Sequence, residues 1–489
     1  MEVSAGELPE PPKPSIVEYL KTIGPGVILA SLAIGSGEWI LFPAVVVKFG
    51  PYLLWAALLS AIIQAVVAVE SMKYPVYCGQ PIHKAYHRLA PGPLAWAWIW
   101  VLLLFIPVIW PGWAMSSATA IAALQLGRLP GPQDKFLVLA WGIVALTVGL
   151  LVLHIGKKIQ RTLELVSWPM VIMLFATTLI GVIIAAPASA WMNVLKGFAG
   201  FLSPRFGFPQ PSEIDWYMIS AAIAYIPAGF GFNMMMSSYA RDKGWGMGSK
   251  IGYISGAIGG EKIDLKADEA PFDVEKDGNL RRWRGWLNVM RVDSYLVFAG
   301  ITMLTVIMTS VMAYALLAPK GLAPTGFKVA AAQAEALSSI LGGVAWVLIL
   351  LGGFWILFDN QWGLIDGVSR VLTDNFWLAS ERLRKWAGRD PRKVYYIFVY
   401  SLYVVALIIM ITSTVFGLAR PYELAATGAI LGLFALTLAP LLQLIVSNRI
   451  MPKELRPSPV TNIILIVGTA FYAFFLVAAG LQILAGIKL

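Results

Sequence analysis

Glu38 asks the most of its surroundings. It stands in AIGSGEW (residues 33–39), inside an apolar stretch. A carboxylate buried there without a partner costs several kcal/mol or takes up a proton. Gly35, Ser36 and Gly37 precede it and weaken the helix. A second weak point is AYIPAGFGFNMMM (224–236), where Pro227 lacks a backbone donor and Gly229 and Gly231 loosen the turn. Carbonyls released near Ala33, Ile34 and Gly35, and near Tyr225 and Ile226, would add hard oxygens. Asn233, about two turns after Pro227, offers an amide oxygen or a helix–helix hydrogen bond. Asp359 and Asn360 lie in GGFWILFDNQWGLIDGVSR (352–370). Asp359 could meet a bound ion, hold a second one, or serve helix packing. Such groups suit a cation, a proton, or a donor from another helix.

Other polar groups read as interfacial or structural. Asp366 and Arg370 are four apart, the spacing of a helical salt bridge. Glu70 has Lys73 close by at the end of an apolar stretch, and reads as interfacial. His83 and His87 are four apart; a solvated amphipathic helix is expected rather than a metal pair. His154 lies beside Lys157 and Lys158 and reads as interfacial. The lone Cys78 excludes an internal disulfide and a cysteine-rich metal cluster. No HExxH, GxSxG or usefully spaced catalytic carboxylate pair is present, so an enzyme is not expected and no cofactor is implied.

The elements that must position these groups are membrane helices. Of 489 residues, 58% are hydrophobic and 13% charged, about half the charge of a soluble domain. Mean hydropathy is +0.73. Eleven apolar spans are expected, near 23–48, 51–72, 94–124, 136–154, 165–187, 216–239, 293–318, 337–360, 395–417, 423–446 and 461–486. The polar stretch 240–292 reads as a solvated loop with a short amphipathic end. With the N-terminus in the cytoplasm, 28 of the 37 lysines and arginines lie inside and 9 outside. That asymmetry puts the C-terminus outside, in a bacterial-type inner or plasma membrane. It also assigns the net charge of +10 to the lipid-headgroup level rather than to nucleic acid. The polar, proline-rich start has no apolar h-region, so no cleaved signal peptide is expected. Oligomeric state stays open, with a monomer plausible.

The weak points fall in the first and sixth spans. Five spans apart is an odd offset, so two halves in opposite orientation are expected. Interrupted helices at matching positions of inverted halves point to a midplane binding site.

Several stretches resemble one family. GPGVILASLAIGSGEW (24–39) resembles the first helix of the NRAMP divalent-metal transporters, whose pattern is GPG followed by an Asp-Pro-Gly-Asn break. LLWAALLSAIIQ (53–64) resembles their second helix, SSATAIAALQLG (116–127) the end of their third, and LAPLLQLIVSNRIMP (438–452) the end of their tenth. The resemblance runs from about residue 23 to 455. It implies an all-α polytopic, LeuT-like architecture of five plus five helices. The first repeat would be 23–187 and the second 188–446, between a cytoplasmic segment 1–22 and a last span in 447–489. It also implies transport of Mn²⁺, Fe²⁺ and similar ions with proton coupling. The motif residues differ. The family's Asp, Pro, Gly and Asn fall on Gly35, Ser36, Gly37 and Glu38; its Met-Pro-His falls on Ile226, Pro227 and Ala228. Two acidic residues of its third helix fall near Gly112 and Met115.

What is left is an oxygen-only ligand set, which suits Mg²⁺ and Mn²⁺ better than softer metals. The expectation is a divalent-cation transporter or uniporter with Glu38 as its principal charge and weak or absent proton coupling. The alternatives are transport of another small solute, an organic cation or amino acid, on the same fold, or a transport-dead sensor.

Overall fold

With no water in a bilayer core, a chain must satisfy its own backbone. The computed structural model does so with helices and one isolated bridge, Ile155 to Ile258, among the described residues. It describes residues 6–155, 159–202, 213–229, 231, 233–255, 257–258, 265–329 and 331–486. Nine helices among them are long and apolar enough to cross a membrane, or ten if one bent pair counts as a span. In chain order, α1 is Pro25–Phe49, α2 Leu54–Cys78, α3 Pro93–Leu126 and α4 Pro132–Val152. Then come α5 (Ile159–Ala185), α6 (Trp216–Ala224) and α7 (Asn233–Lys243). The last five are α8 (Asn279–Lys320), α9 (Gly343–Ala379), α10 (Pro391–Phe416), α11 (Pro421–Arg449) and α12 (Pro459–Ala485). After α5 the chain turns by 113° at Pro187 into Ala188–Gly200.

The first helix begins at Gly24-Pro25-Gly26 for a clear reason. Pro25 is the first helical residue, where its missing N–H costs nothing. The neighbouring N–H groups of Gly24 and Gly26 donate to the two carboxylate oxygens of Asp293 on α8, at 3.0 and 2.7 Å. The negative charge also favours the positive end of the helix dipole. Gly26 has to be glycine, because a Cβ there would run into the Asp293 backbone.

Helix α9 is the hub. It packs on α1, α3, α4, α5, α7 and α10, and its stretch Ile356–Asn375 is buried throughout. Apolar side chains spaced along α4, α10 and α12, such as Val144, Val148, Val404, Ile408, Ile463 and Val467, face outward. That is the pattern of a lipid-facing surface.

Four expectations need correction. First, the 240–292 segment is not simply a solvated loop. Trp245, Met247, Ile254 and Phe272 are buried, and Ala270 and Phe272 donate backbone bonds to Cys78 and Tyr77 at the end of α2. The expected amphipathic end exists as the start of α8, with Trp283, Trp286, Val289 and Met290 inward. The N-terminal segment straps onto it: Leu8 is buried, its N–H donates to Asn279, and Glu7 and Glu10 pair with Arg282.

Second, Asp366 and Arg370 form the expected i,i+4 bridge, but not as a simple isolated pair. They belong to a buried cluster that the sequence splits across three segments. Arg370 bonds Asp366 at 3.1 Å and also Asp242; Arg241 bonds Asp242 at 2.7 Å and Asp374 at 2.5 Å. The hydroxyls of Tyr239, Tyr395 and Ser238 complete the carboxylates' acceptor needs. Third, Glu70 and Lys73 are buried, 2.6 Å apart, and Ser447 donates to Glu70. Fourth, His83 and His87 are buried among Tyr86, Trp100 and Asn375. Burial pushes His87 down to about 4, although its bond to Asn375 pulls the other way.

Two consequences are measurable. Replacing Asp293 by Ala strands two buried N–H donors and should cost about 3 kcal/mol. A clear drop in thermal midpoint is expected in lipid nanodiscs, with Asp293→Asn recovering only part of it. The second concerns Asp215, which caps α6 and accepts from Lys48, Gln482 and the Met218 N–H. Burial alone would raise this carboxyl, but those bonds hold it below the usual carboxylate range. Such a group stabilises the fold above its unfolded value of about 3.9, and that contribution disappears as pH falls through the lower folded value. The thermal-midpoint gap between wild type and Asp215→Asn should therefore be full at neutral pH and close under strong acid.

Candidate functional site

The two weak points of the sequence meet in space, and the chain resolves them differently. In α1 the expected unwound centre takes another form. Pro25–Ala33 is α-helical, Ile34–Leu41 is π-helical, and Phe42–Phe49 is α-helical again. The Phe42 N–H donates to the Gly37 carbonyl, five residues back. A π turn accommodates an extra residue without giving up its hydrogen bonds. Poor helix formers locally and tight neighbours on both sides favour that solution. A Cβ at Gly35 would lie 2.5 Å from the Ile356 carbonyl oxygen of α9, and one at Gly37 would lie 2.5 Å from the Tyr225 carbonyl oxygen. Both glycines are therefore contact points as well as weak points.

The sixth span does break. α6 ends at Ala224 and α7 begins at Asn233, with Gly231 at a φ of +67° in the turn between them. The Ile226–Pro227 peptide is cis. The Ile226 carbonyl, expected to be free as a ligand, is not. It accepts from the Ser60 hydroxyl and from Gln64 Nε2 at 3.2 Å, both on α2. The Gln64 amide oxygen in turn accepts from the Ala228 N–H at 3.3 Å. Tyr225 is buried, and its hydroxyl accepts from the Trp113 indole N–H at 3.1 Å.

Glu38 follows the glycine that touches Tyr225. It is fully buried, and neither carboxylate oxygen has a hydrogen-bond partner among the described residues. Asn360 lies against α1, donating to the Leu32 carbonyl, while its own amide oxygen has no partner among the described residues. Asp359 also reaches α1, at the Ser31 hydroxyl. Ser31 is seven residues before Glu38, roughly 10 Å along the helix, so the two carboxylates sit at different heights. The side chains of Ser36 and Asn233 lie outside the described residues.

Sequence reasoning missed the residues that tie this region together. Ser60 and Gln64 stitch the break, Gln333 donates to the Trp39 carbonyl at 2.6 Å, and Gln361 accepts from the Ala114 N–H. The available signal was their type: a polar side chain in an apolar span is rare and needs a partner. Among the described residues no three of His, Cys, Asp and Glu gather as a metal-ligand set.

No family model matches the chain, and no curated protein matches it. Solved structures do. A point mutant of the Eremococcus coleocola manganese transporter matches with a TM-score of 0.68 at 14% identity, over 99% of this chain and 91% of that one. The same transporter in complex with an aromatic bis-isothiourea substituted compound matches at 0.66 and 16% identity, over 98% and 91%. MhsT in complex with L-phenylalanine matches at 0.55 and 15%, over 97% and 100%. At these identities the likeness is one of fold: the chain shares the architecture of the Eremococcus coleocola manganese transporter along nearly its whole length.

Proposed function

We propose that this chain is a membrane transporter for divalent cations, with Glu38 as the charge that meets the ion. The observation that carries the reading is Glu38 itself: a fully buried carboxylate with no hydrogen-bond partner among the described residues, next to the contact with a broken helix. Such a group is costly unless a cation or proton accompanies it. The fold shared with a manganese transporter supports the same reading.

We read α5 and the α6–α7 pair as spans beside the nine long helices, making eleven, with the first five and the next five as inverted halves. The lysine and arginine asymmetry supports a cytoplasmic N-terminus. The ligand beside the break is an oxygen group, the Glu38 carboxylate; Asn360 meets α1 at Leu32, six residues earlier. Ile226 and Ala228 bring neither thioether nor imidazole. Oxygen ligands favour Mg²⁺ and Mn²⁺ over softer ions, and Mg²⁺ keeps several of its waters, so few protein ligands suffice. Gly112 and Met115 stand where the family carries acids, so weak or absent proton coupling is part of the proposal.

Flux in proteoliposomes tests it. Saturable uptake is expected with Mg²⁺ and Mn²⁺ ahead of Fe²⁺, at least tenfold lower in Glu38→Gln at equal reconstitution, and without acidification of the lumen. Absence of divalent flux in folded wild type would overturn the reading. Gly37→Ala should also lower flux at least tenfold while the protein stays monodisperse, because its Cβ separates α1 from Tyr225. Unchanged flux in that variant would mean the contact does not shape the site.

A further inference from the structure

A second carboxylate faces different surroundings. Between α3, α4, α5 and α9 lies a cavity of about 640 Å³. Its walls are aliphatic on α4 and aromatic on α9 and part of α4, with Trp141, Phe354, Trp355, Phe358 and Trp362 in the lining. Asp359 is the one charged residue among the described lining. The residue is 5% exposed, and its Oδ2 has no hydrogen-bond partner among the described residues. The cavity opens sideways: Val148 is 45% and Trp355 40% exposed on faces of membrane-length helices. Its mouth therefore faces the apolar layer.

We propose that this cavity binds a hydrophobic ammonium compound, an alkyl or aryl body carrying one fixed positive charge, taken from the bilayer. An acyl chain alone would fit the apolar walls, but it would leave the Asp359 charge unpaired, with Ser31 its one hydrogen-bonding contact among the described residues. A cation pairs with Asp359, and ring faces attract it further once water is excluded. The apolar body covers wall surface left open among the described residues. The site is distinct from the one proposed for the ion, and it does not depend on what the protein transports.

The test uses the full chain in lipid nanodiscs with radiolabelled decyltrimethylammonium, counted against protein-free nanodiscs. Saturable binding is expected. The uncharged carbon isostere, 2,2-dimethyldodecane, should compete at least tenfold more weakly. Asp359→Asn should weaken binding at least tenfold, and Val148→Trp, which narrows the mouth without touching the charge, should weaken it as well. Glu38→Gln should bind as wild type does. If Asp359→Asn fails to fold, Asp359→Glu and Val148→Trp carry the test, the first retaining binding and the second losing it. No saturable binding in wild type would overturn the proposal. So would equal competition by the isostere, which would leave a groove for lipid chains only. A loss in Glu38→Gln with none in Asp359→Asn or Val148→Trp would place the cation at the other carboxylate and overturn it too.

Discussion

A helix interrupted inside a bilayer releases backbone groups that must find partners within the protein, and the candidate site is built around that constraint. In the sixth span the partners come from α2. Ser60 and Gln64, one helical turn apart, close on the Ile226 carbonyl and the Ala228 N–H. The Ser60 hydroxyl also meets Tyr472 of α12 at 2.8 Å, so the break is fixed to two further helices. With that carbonyl saturated, the break supplies shape more than ligands. It lets the Tyr225 carbonyl come forward against Gly37, where only a residue without a side chain fits. The first helix meets the same constraint by widening into a π turn, which keeps its own bonds. One interruption is stitched from outside and the other heals itself, and Glu38 lies on the self-healed one.

The opposite end of the hub helix is held by charge. Two arginines and three aspartates from α7 and α9 are buried together, with tyrosine hydroxyls from α7 and α10 filling the remaining acceptor sites. Burial of such a cluster is tolerable only because each charge is paired and hydrogen-bonded; removing one member typically costs about 3–5 kcal/mol. Asp359 and Asn360 precede Asp366 by about two turns on the same helix, so the clamp also sets the height and rotation at which they meet α1. The position of that polar pair against α1 follows from a charge cluster that does not touch it.

Much of this was legible in the sequence, and the exceptions have physical causes. Apolar runs gave the long helices, and glycines and a proline marked both weak points, because hydropathy and backbone propensity are local properties. The form of the first weak point was not legible. Two glycines weaken an α-helix equally whether the chain unwinds or widens, and neighbours such as Ile356 and Tyr225 decide. Asp366 and Arg370 showed their spacing but not their burial, since Asp242 and Arg241 lie more than a hundred residues away. The 240–292 segment looked solvated because its charges were counted without their partners. Gln64 was passed over as one polar residue in an apolar run, although in such a medium an amide is rarely without a task. The cavity beside Asp359 was invisible for the same reason: a void is a property of four helices, not of one.

The chemistry at Glu38 follows from how little accompanies it. With one carboxylate beside it, a divalent ion would keep a net charge of about +1 in a medium of low dielectric. Bare ions are disfavoured there, and an ion that brings its own waters is favoured, because those waters spread the charge and meet carbonyls and amides that a bare ion could not reach at once. Discrimination would then rest on hydration and size. Ligand softness has no purchase where Ile226 and Ala228 offer only hydrocarbon and a carbonyl already engaged by Ser60 and Gln64. The break in the sixth span is thus structural, its carbonyl engaged by α2, and the carboxylate without a hydrogen-bond partner among the described residues, Glu38, lies on the helix that faces it.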